Sequence, residues 1–291
     1  MNSRRTFIKQ SALLAASVAV MPSLACTSIE KKALGIQLWS VRDIIGKDVK
    51  SVIGKIAQIG YKEVETFGYS KKDGFWGLDA KAFKALLQEN GLKSPSGHFD
   101  FDNYMQGKTT DQLKDYIEAA NILGSEYITV PYLQAPVRKT ADDFKKIAAK
   151  LNEAAQTCKS AGLKLAYHNH DFEFTQFGNT TGYEILLTET DKALVDFELD
   201  LYWVNRSNQD AVKIFKAHPG RFTMWHIKDM DKTNHDLNAE IGTGLVNFKP
   251  IFAEAKLAGV KHYIVEHEFN YKPDILGSIE TSFNYVQKQL L

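Results

Sequence analysis

Lys164 to Phe174 read K-L-A-Y-H-N-H-D-F-E-F, in which the apolar start of a strand leads directly into a group of ionisable side chains. A turn at Gly162 precedes this strand. Alternate side chains of a strand share a face, so His168 and His170 should point the same way. Two imidazoles followed by carboxylates at a strand end suit a metal site or a proton-transfer site, although His-x-His also occurs on strands that bind nothing. The other strands decide between these two interpretations.

The same phrase recurs along the chain: an amphipathic helix ends at a glycine, and a β-rich run begins one to three residues later. Glycine tolerates the left-handed conformation that closes a helix, which explains its position. Repeated helix-to-strand units imply right-handed crossovers and a parallel sheet. The glycines that close these units are Gly60, Gly91, Gly124, Gly162, Gly220 and Gly259.

This repeat predicts eight strands, which we place at Leu34–Ser40, Lys62–Phe67, Lys93–Phe99, Tyr127–Leu133, Lys164–Asn169, Leu194–Leu201, Phe222–Lys228 and His262–Glu268. Apolar residues with helical spacing predict helices near Val49–Ile59, Ala80–Asn90, Asp111–Leu123, Asp142–Ala161, Tyr183–Thr188, Asp210–Ala217, Phe248–Leu257 and Ser278–Lys288. Eight such units without a break in composition predict an α/β fold, a single-domain (β/α)8 TIM barrel. A doubly wound sheet is the alternative, but no G-x-G-x-x-G phosphate loop follows a strand here.

Residues 1–26 are predicted to be an export signal and are set apart from the catalytic domain at 27–291. Ser3–Lys9 carries twin arginines, and the apolar run that follows is too short to remain in a bilayer as a spanning helix. Leu24-Ala25-Cys26 resembles a bacterial lipobox, which would attach a lipid anchor at Cys26. Simple cleavage near Ala25 is the alternative. We therefore expect an exported, periplasmic protein.

The charge balance argues against nucleic acid as a partner. Of the 36 Lys and Arg residues, only Arg4, Arg5 and Lys9 lie in the signal, and none of the 35 Asp and Glu residues does. The rest of the chain is close to neutral and shows no basic stripe. Cys158 would be the single cysteine left after the signal, so no internal disulfide is expected.

The C-terminal ends of the strands face the catalytic mouth in barrels of this kind. A single His or Glu there is usually just a hydrogen-bonding group, but here almost every strand delivers one. A mixed His, Asp and Glu set suits one divalent ion that polarises a substrate oxygen, such as Mn, Co, Zn or Mg. The side chains predicted at the mouth are Gln37, Trp39, Arg42, Glu65, His98, Asp100, Pro131, Tyr132, His168, His170, Glu198, Asp200, Trp203, His226, Lys228, Asp229, Glu266 and Glu268.

The sequence from about Leu34 onwards resembles the xylose isomerase-like TIM barrels, often called sugar phosphate isomerase/epimerases. The motifs that carry this resemblance are L-A-Y-H-N-H-D-F-E-F, E-L-D-L-Y-W, W-H-I-K-D-M and Y-I-V-E-H-E. The family holds one divalent ion with a Glu, an Asp, a His and a Glu on its last four strands. The resemblance implies Asp200, His226 and Glu266 as three of these ligands, with His168 standing where the first Glu is expected.

That histidine makes the two-glutamate epimerase mechanism a poorer match. His-containing versions of this strand resemble the inosose dehydratase branch, whose chemistry is elimination of water next to a ketone. Relatives with this wording look like exported proteins, so the resemblance implies a small-molecule sugar substrate such as a 3-keto-sugar and a sugar oxidoreductase in the same pathway.

The mechanism we predict is removal of a proton from the carbon beside a carbonyl, followed by isomerisation or by elimination. Glu266, His170 and His98 are the candidate bases, with Glu65 further back. Lys228 and Gln37 would orient substrate hydroxyls, and Trp39, Trp76 and Trp203 would stack on the sugar.

Two other functions are weighed against this one. An apurinic endonuclease would need more metal ligands, and Asn238 stands where its motif carries a histidine. A non-catalytic periplasmic sugar-binding protein would not need the ion for its function.

Overall fold

Eight parallel strands close into a barrel in which each strand pairs with its neighbours in the sequence and the last pairs with the first. They are β1 (Leu34–Gln37), β2 (Glu63–Phe67), β3 (Lys93–His98), β4 (Tyr127–Val130), β5 (Lys164–His168), β6 (Val195–Asp200), β7 (Met224–Ile227) and β8 (His262–Val265). Leu34 is in register with Tyr263, which closes the barrel. The predicted (β/α)8 barrel is confirmed.

The computed structural model describes residues 32–109 and 111–291, and Ala33–Leu291 form one compact unit. The predicted export signal at 1–26 and the lipid-anchor site at Cys26 lie outside the described residues. In the two described ranges, we find no helix with the length and apolar character needed to cross a membrane.

The main helices are α1 (Val49–Ile59), α2 (Ala80–Glu89), α3 (Asp111–Leu123), α4 (Ala141–Ser160), α5 (Gly182–Glu189), α6 (Ala211–Ala217), α7 (Phe248–Ala253) and α8 (Ile275–Gln289). Short helices add Arg42–Ile45, Asp102–Met105, Leu201–Arg206 and Ala255–Ala258, and single 3-10 turns form at Leu38–Val41, Ala135–Val137 and Phe172–Phe174. Two hairpins lie outside the barrel, Gln176–Phe177 with Thr180–Thr181 and Asp229–Met230 with Asn238–Ala239.

Local sequence explains where the helices begin and end. Thr140 and Asp143 form a capping box at the start of α4, and Asp274 caps α8 by accepting from the Gly277 N–H at 2.8 Å. Gly162 after α4 and Gly259 after Ala255–Ala258 have φ of +81° and +87°, a conformation that favours glycine. The predicted stop signals are therefore real.

The strands end earlier than predicted, by one to three residues at most of their C-terminal ends. After Gln37, for example, the chain turns into the 3-10 helix, and the Gln37 side chain accepts from the Trp39 N–H at 2.9 Å. The predicted helix Phe248–Leu257 is divided at Glu254 into two short helices. Strand pairing stops where the loops of the mouth diverge, because their backbone groups then bond within each loop.

Inward-facing side chains change character along the strands. Lys164, Asp196 and His262 lie at the N-terminal end, which we call the base. Ala166 and Ile264 lie two positions further along β5 and β8. Together with Met224 at the start of β7 and Tyr127 at the start of β4, they form a separate buried apolar cluster. Two positions further again come His168, His226 and Glu266. The apolar cluster therefore lies between the base and the mouth and excludes water from below the site.

Candidate active site

A cavity of about 470 Å³ opens among the loops at the C-terminal end of the barrel. Five residues with a predicted catalytic, substrate-binding or metal-binding role line it, and so do Asp100, Tyr132 and Glu268 of the predicted mouth. The five are Trp39, His98, His168, His170 and Glu266. Its volume is in the range that holds small-molecule ligands, roughly 300–1,000 Å³. The predicted mouth is therefore a real concavity.

The four predicted metal ligands come together beside this cavity. His226 Nδ1 lies 3.3 Å from Glu266 Oε2 and 4.0 Å from Asp200 Oδ2. His168 approaches from β5 and places its Nε2 4.0 Å from the same Asp200 oxygen. All four side chains are buried.

A divalent ion fits this donor set. Asp200 Oδ2 is buried and has no hydrogen-bond partner, which costs free energy unless a cation binds it. Imidazole nitrogens and carboxylate oxygens are ligands of Zn²⁺ and similar ions at about 2.0–2.2 Å. Asp200, His226 and Glu266 offer donor atoms that all lie within 4.8 Å of one another and can share one ion, and His168 Nε2 lies 4.0 Å from the Asp200 oxygen of this group.

The other nitrogens of the two ligand histidines are held by carboxylates deeper in the barrel. Glu198 Oε2 lies 3.1 Å from His168 Nδ1 and 3.2 Å from His226 Nε2. Glu65 Oε2 lies 2.7 Å from the same His226 Nε2 and accepts from the Gln37 amide at 2.7 Å. A carboxylate on one nitrogen fixes the tautomer that leaves the other nitrogen free to bind a metal.

His98 belongs to this deeper layer as well as to the cavity wall. Its Nε2 lies 2.7 Å from Glu198 Oε2 and 3.2 Å from Glu65 Oε2. His98, His168, Glu198 and His226 thus form a second group of possible metal ligands, next to the group of Asp200, His226 and Glu266. The two groups share His226 through opposite ring nitrogens, with Nε2 towards Glu198 and Nδ1 towards Asp200 and Glu266.

Burial and neighbouring charges set the protonation of the ligands. Burial, with His226 nearby, lowers the pKa of His168 to about 3, so its imidazole is neutral and able to bind a cation. Burial, with Glu266 nearby, raises the pKa of Asp200 to about 7. Burial alone would lower the pKa of His226, but Glu198 and Glu266 outweigh it and raise the pKa well above its usual range. The carboxylates that hold this proton would equally attract a metal ion.

Lys228 lies beside the ligand carboxylates instead of on the cavity wall. Its Nζ is 3.1 Å from Glu266 Oε2 and 4.0 Å from Asp200 Oδ2, and it donates a short hydrogen bond to Glu268. Burial alone would lower the Lys228 pKa, but Glu266 and the other carboxylates outweigh it and raise the pKa. The structure thus places Lys228 as a buried countercharge, whereas the sequence predicted a group that orients substrate hydroxyls.

The loop after β5 fixes His170 against the cavity. Its ring is stacked on Phe172 with 5.6 Å between centroids, and its Nδ1 has no hydrogen-bond partner among the described residues. The backbone N–H of His170 donates to Glu173 Oε2 at 2.9 Å, and the Tyr167 hydroxyl donates to the other Glu173 oxygen at 2.7 Å. Burial raises the pKa of Glu173 to about 8. Glu173 therefore holds this loop from inside.

Besides Lys228, four more residues predicted to contact substrate do not line the cavity. Gln37 and Glu65 are fully buried in the deeper layer. Trp76 packs on Phe67 and on Phe75 and Phe83 of its own region, which favours loop anchoring over sugar stacking. Trp203 lies behind His170, with 5.2 Å between the two rings.

The sequence places Glu198, Asp100 and Tyr132 at the mouth without a role, and it does not predict the rest of the wall between β2 and β4. That wall is formed largely by Phe67, Tyr69, Asp100, Phe101, Asp102 and Tyr132. The strand alternation around Asp200 was a signal for Glu198, since residues two apart share the inward face. The other residues of this wall carry no comparable signal in the sequence.

Comparison with known proteins agrees with this architecture. The family model described as Xylose isomerase-like TIM barrel matches residues 53–288. The chain belongs to this family. Among curated relatives, an inosose dehydratase of Clostridium perfringens is 31% identical over 213 residues, covering 67% of this chain and 69% of that protein.

Solved structures of the family also match over most of the barrel. A sugar phosphate isomerase/epimerase from Parabacteroides distasonis has a TM-score of 0.79 and 27% identity, covering 90% of this chain and 96% of that one. The IOLI protein, crystallised with a zinc atom, has a TM-score of 0.71 and 15% identity, covering 89% and 99%. This last likeness shows the shared fold alone. By their names, the relatives in this family are sugar isomerases, epimerases and dehydratases.

Proposed function

We propose that the protein is a divalent-metal-dependent enzyme that removes a proton from the carbon next to the carbonyl of a sugar or keto-sugar. The observation that carries this proposal is the convergence of His168, Asp200, His226 and Glu266 around an unpartnered carboxylate oxygen at the cavity. A bound divalent ion would supply Lewis-acid polarisation of a substrate carbonyl. The names of the 27% and 31% identical relatives support sugar chemistry of the isomerase or dehydratase type.

Among the three candidate bases, we assign proton removal to His170. All three line the cavity, but Glu266 Oε2 is already bonded to Lys228 at 3.1 Å and His98 Nε2 to Glu198 at 2.7 Å. His170 lines the cavity on a loop that is fixed by Glu173, and because its Nδ1 is buried, the opposite ring nitrogen is the one that would take the proton. A base needs an available lone pair within reach of the substrate, which favours His170. The proton then returns to a neighbouring carbon in isomerisation or to a leaving hydroxyl in elimination.

Product analysis by mass spectrometry tests this proposal and separates the two outcomes. Chelator-treated protein is supplied with Mn²⁺, Co²⁺, Zn²⁺ or Mg²⁺ and incubated in D₂O with 3-keto-glucosides and simple ketoses. Deuterium incorporation without loss of mass indicates isomerisation, and loss of water or of an aglycone indicates elimination. Turnover that persists in chelator at the same rate, or no turnover with any ion, would contradict the proposal.

We also propose that the enzyme is exported and anchored to a membrane by a lipid on Cys26. The support is the sequence of residues 1–26 alone, with its twin arginines and the Leu24-Ala25-Cys26 motif. Labelling of bacteria with a tagged fatty acid should mark the wild-type protein and not Cys26→Ser. Unlabelled protein in the periplasm would leave export intact and remove the anchor.

A further inference from the structure

We infer that the substrate of this site is uncharged, so that sugar phosphates and sugar acids are excluded although related proteins carry sugar phosphate in their names. This inference rests on the proposed function and specifies its substrate class. It comes from the charges around the cavity and from the way in which the nearest cations are already engaged.

The cavity wall is acidic. Asp100, Asp102, Glu266 and Glu268 line it, and no lysine or arginine does among residues 32–109 and 111–291. Asp100 and Asp102 follow β3, on the side away from the ligands of β6 and β7. A substrate bound at the ligand carboxylates would extend its far end towards this pair.

Three cations near the mouth are held elsewhere, and Lys108, whose charge acts on Asp102, does not line the cavity. Arg42 donates to the Trp39 carbonyl at 3.0 Å and to the Glu268 carbonyl at 2.7 Å. Arg138 donates to the Leu133 carbonyl at 2.7 Å, and its guanidinium lies 3.5 Å from the centre of the Phe172 ring. Lys228 is bonded to Glu266 and Glu268. None of these three side chains lines the cavity.

At the far end of the substrate, away from the proposed ion, a phosphate group would therefore meet Asp100 and Asp102 with no lysine or arginine in the cavity lining to match it. A phosphate ester carries between about one and a half and two negative charges near neutral pH. Like charges in a cavity repel more strongly than they do in bulk water, because the effective dielectric there is lower. Carboxylates are, in contrast, good acceptors for the hydroxyl groups of a neutral sugar.

The aromatic side chains of the wall suit the same class. Trp39 is 41% exposed and Tyr132 is 38% exposed, which is unusual for large rings beside a cavity. Trp39 is held edge-on by Phe67 at 4.9 Å, and Tyr132 by His170 at 5.1 Å. Rigid, partly exposed rings offer apolar contact to the C–H face of an uncharged sugar ring.

The test compares neutral sugars with their own phosphates by isothermal titration calorimetry on the full chain loaded with Mg²⁺. Suitable probes are D-fructose with fructose 6-phosphate and D-glucose with glucose 6-phosphate. We expect saturable binding of at least one neutral sugar and at least tenfold weaker binding of its phosphate at low ionic strength. This difference in affinity between a sugar and its phosphate should shrink as salt screens the charges of the wall carboxylates.

A double variant, Asp100→Asn with Asp102→Asn, should narrow the affinity difference between sugar and sugar phosphate several-fold, because the phosphate then binds more tightly. The control, Asp115→Asn on the outer surface, should leave it unchanged, since Asp115 pairs with Lys71 away from the mouth. A phosphate that binds as tightly as its neutral partner would overturn the inference and leave the metal-dependent chemistry standing. Failure of every probe to bind would overturn it as well, whereas the proposed function fails only if chelator has no effect on product formation.

Discussion

Ionisable side chains lie at both ends of this barrel, on the same strands, and the two ends use them differently. At the base, Asp196 accepts from Lys164 at 2.9 Å and from Tyr127 at 3.2 Å, and Glu63 lies 2.9 Å from His262. These groups have partners of opposite charge or a hydroxyl donor, and Lys164 remains half exposed. The base is stabilised by its own contacts.

At the mouth, the same inward-facing positions leave bonding capacity unused. Asp200 Oδ2, Glu198 Oε1 and Glu65 Oε1 are buried without partners in the described part of the chain. Such groups destabilise a fold, and three unpartnered carboxylate oxygens at the mouth are typical of a site that is completed by a ligand, whereas the base carboxylates Asp196 and Glu63 are bonded. In this barrel, the unpartnered carboxylate oxygens mark the functional end. Matched substitutions at the mouth and at the base test this difference.

The largest expected effect comes from two identical substitutions on β6. Asp200→Asn removes a charged ligand and should lower kcat/KM by at least about 10³-fold, on the order of the loss of a major electrostatic contribution. It should also abolish stable binding of the divalent ion, measured by metal analysis after gel filtration. Asp196→Asn, at the base of the same strand, should keep the ion and most of the activity. Equal losses in both variants would refute the division between mouth and base.

The next effect concerns the two inward lysines. Lys228→Met leaves Asp200, Glu266 and Glu268 without their ammonium and should destabilise the metal-free protein by about 3–5 kcal/mol, as for a broken buried ion pair. Added divalent ion should restore more stability to this variant than to the wild type, because it binds the same carboxylates. Thermal unfolding with and without Mg²⁺ measures both.

Lys164→Met is the control at the base, where the lysine is 51% exposed. It should cost no more than about 1 kcal/mol, and its response to metal should equal that of the wild type. A Lys228→Met protein that gains nothing extra from the ion would show that the ion does not share these carboxylates.

Glu198→Gln should weaken metal affinity about 10–100-fold, because the amide no longer fixes both ligand histidines in one tautomer. Competition with a chromogenic chelator gives the affinity, and the Co²⁺ spectrum reports the ligand geometry. Glu63→Gln, two positions before Glu65 on β2, should change neither. Unaltered affinity in Glu198→Gln would mean that the deeper carboxylates do not orient the ligands.

The smallest effect is a pH dependence at the base. Burial alone would lower the pKa of His262, but the bond to Glu63 and the charge of Glu126 outweigh it, despite Lys261, and raise the pKa. Its contribution to stability is therefore fully present below about pH 6.5 and is lost as the pH rises through the higher folded value. We expect Glu63→Gln to remove this dependence, a change below about 2 kcal/mol, in urea unfolding between pH 5.5 and 8.5. An unchanged profile would contradict the pairing.

The fold followed from the sequence because its signals are local. Glycine closes a helix whatever surrounds it, as Gly162 and Gly259 show, and strand alternation places His168, His226 and Glu266 on the inner face. The resemblance of the motifs then indicated which of these residues bind together.

The rest depended on packing between distant strands. Which nitrogen of His226 faces Asp200, and that Glu198 binds two histidines, follow from strand register and rotamers that no single segment specifies. The sequence predicts Trp76 and Lys228 at the substrate because their neighbours in the sequence belong to the predicted mouth. The aromatic cluster around Phe83 and the carboxylates Glu266 and Glu268 hold them instead.

The position of the ion is the most direct test of the account. Crystals grown with Mn²⁺ should show one anomalous peak within about 2.0–2.3 Å of His168 Nε2, Asp200 Oδ2, His226 Nδ1 and Glu266 Oε2. A peak between His98, Glu198 and the opposite nitrogens of the two histidines, or no peak at the mouth, would contradict it.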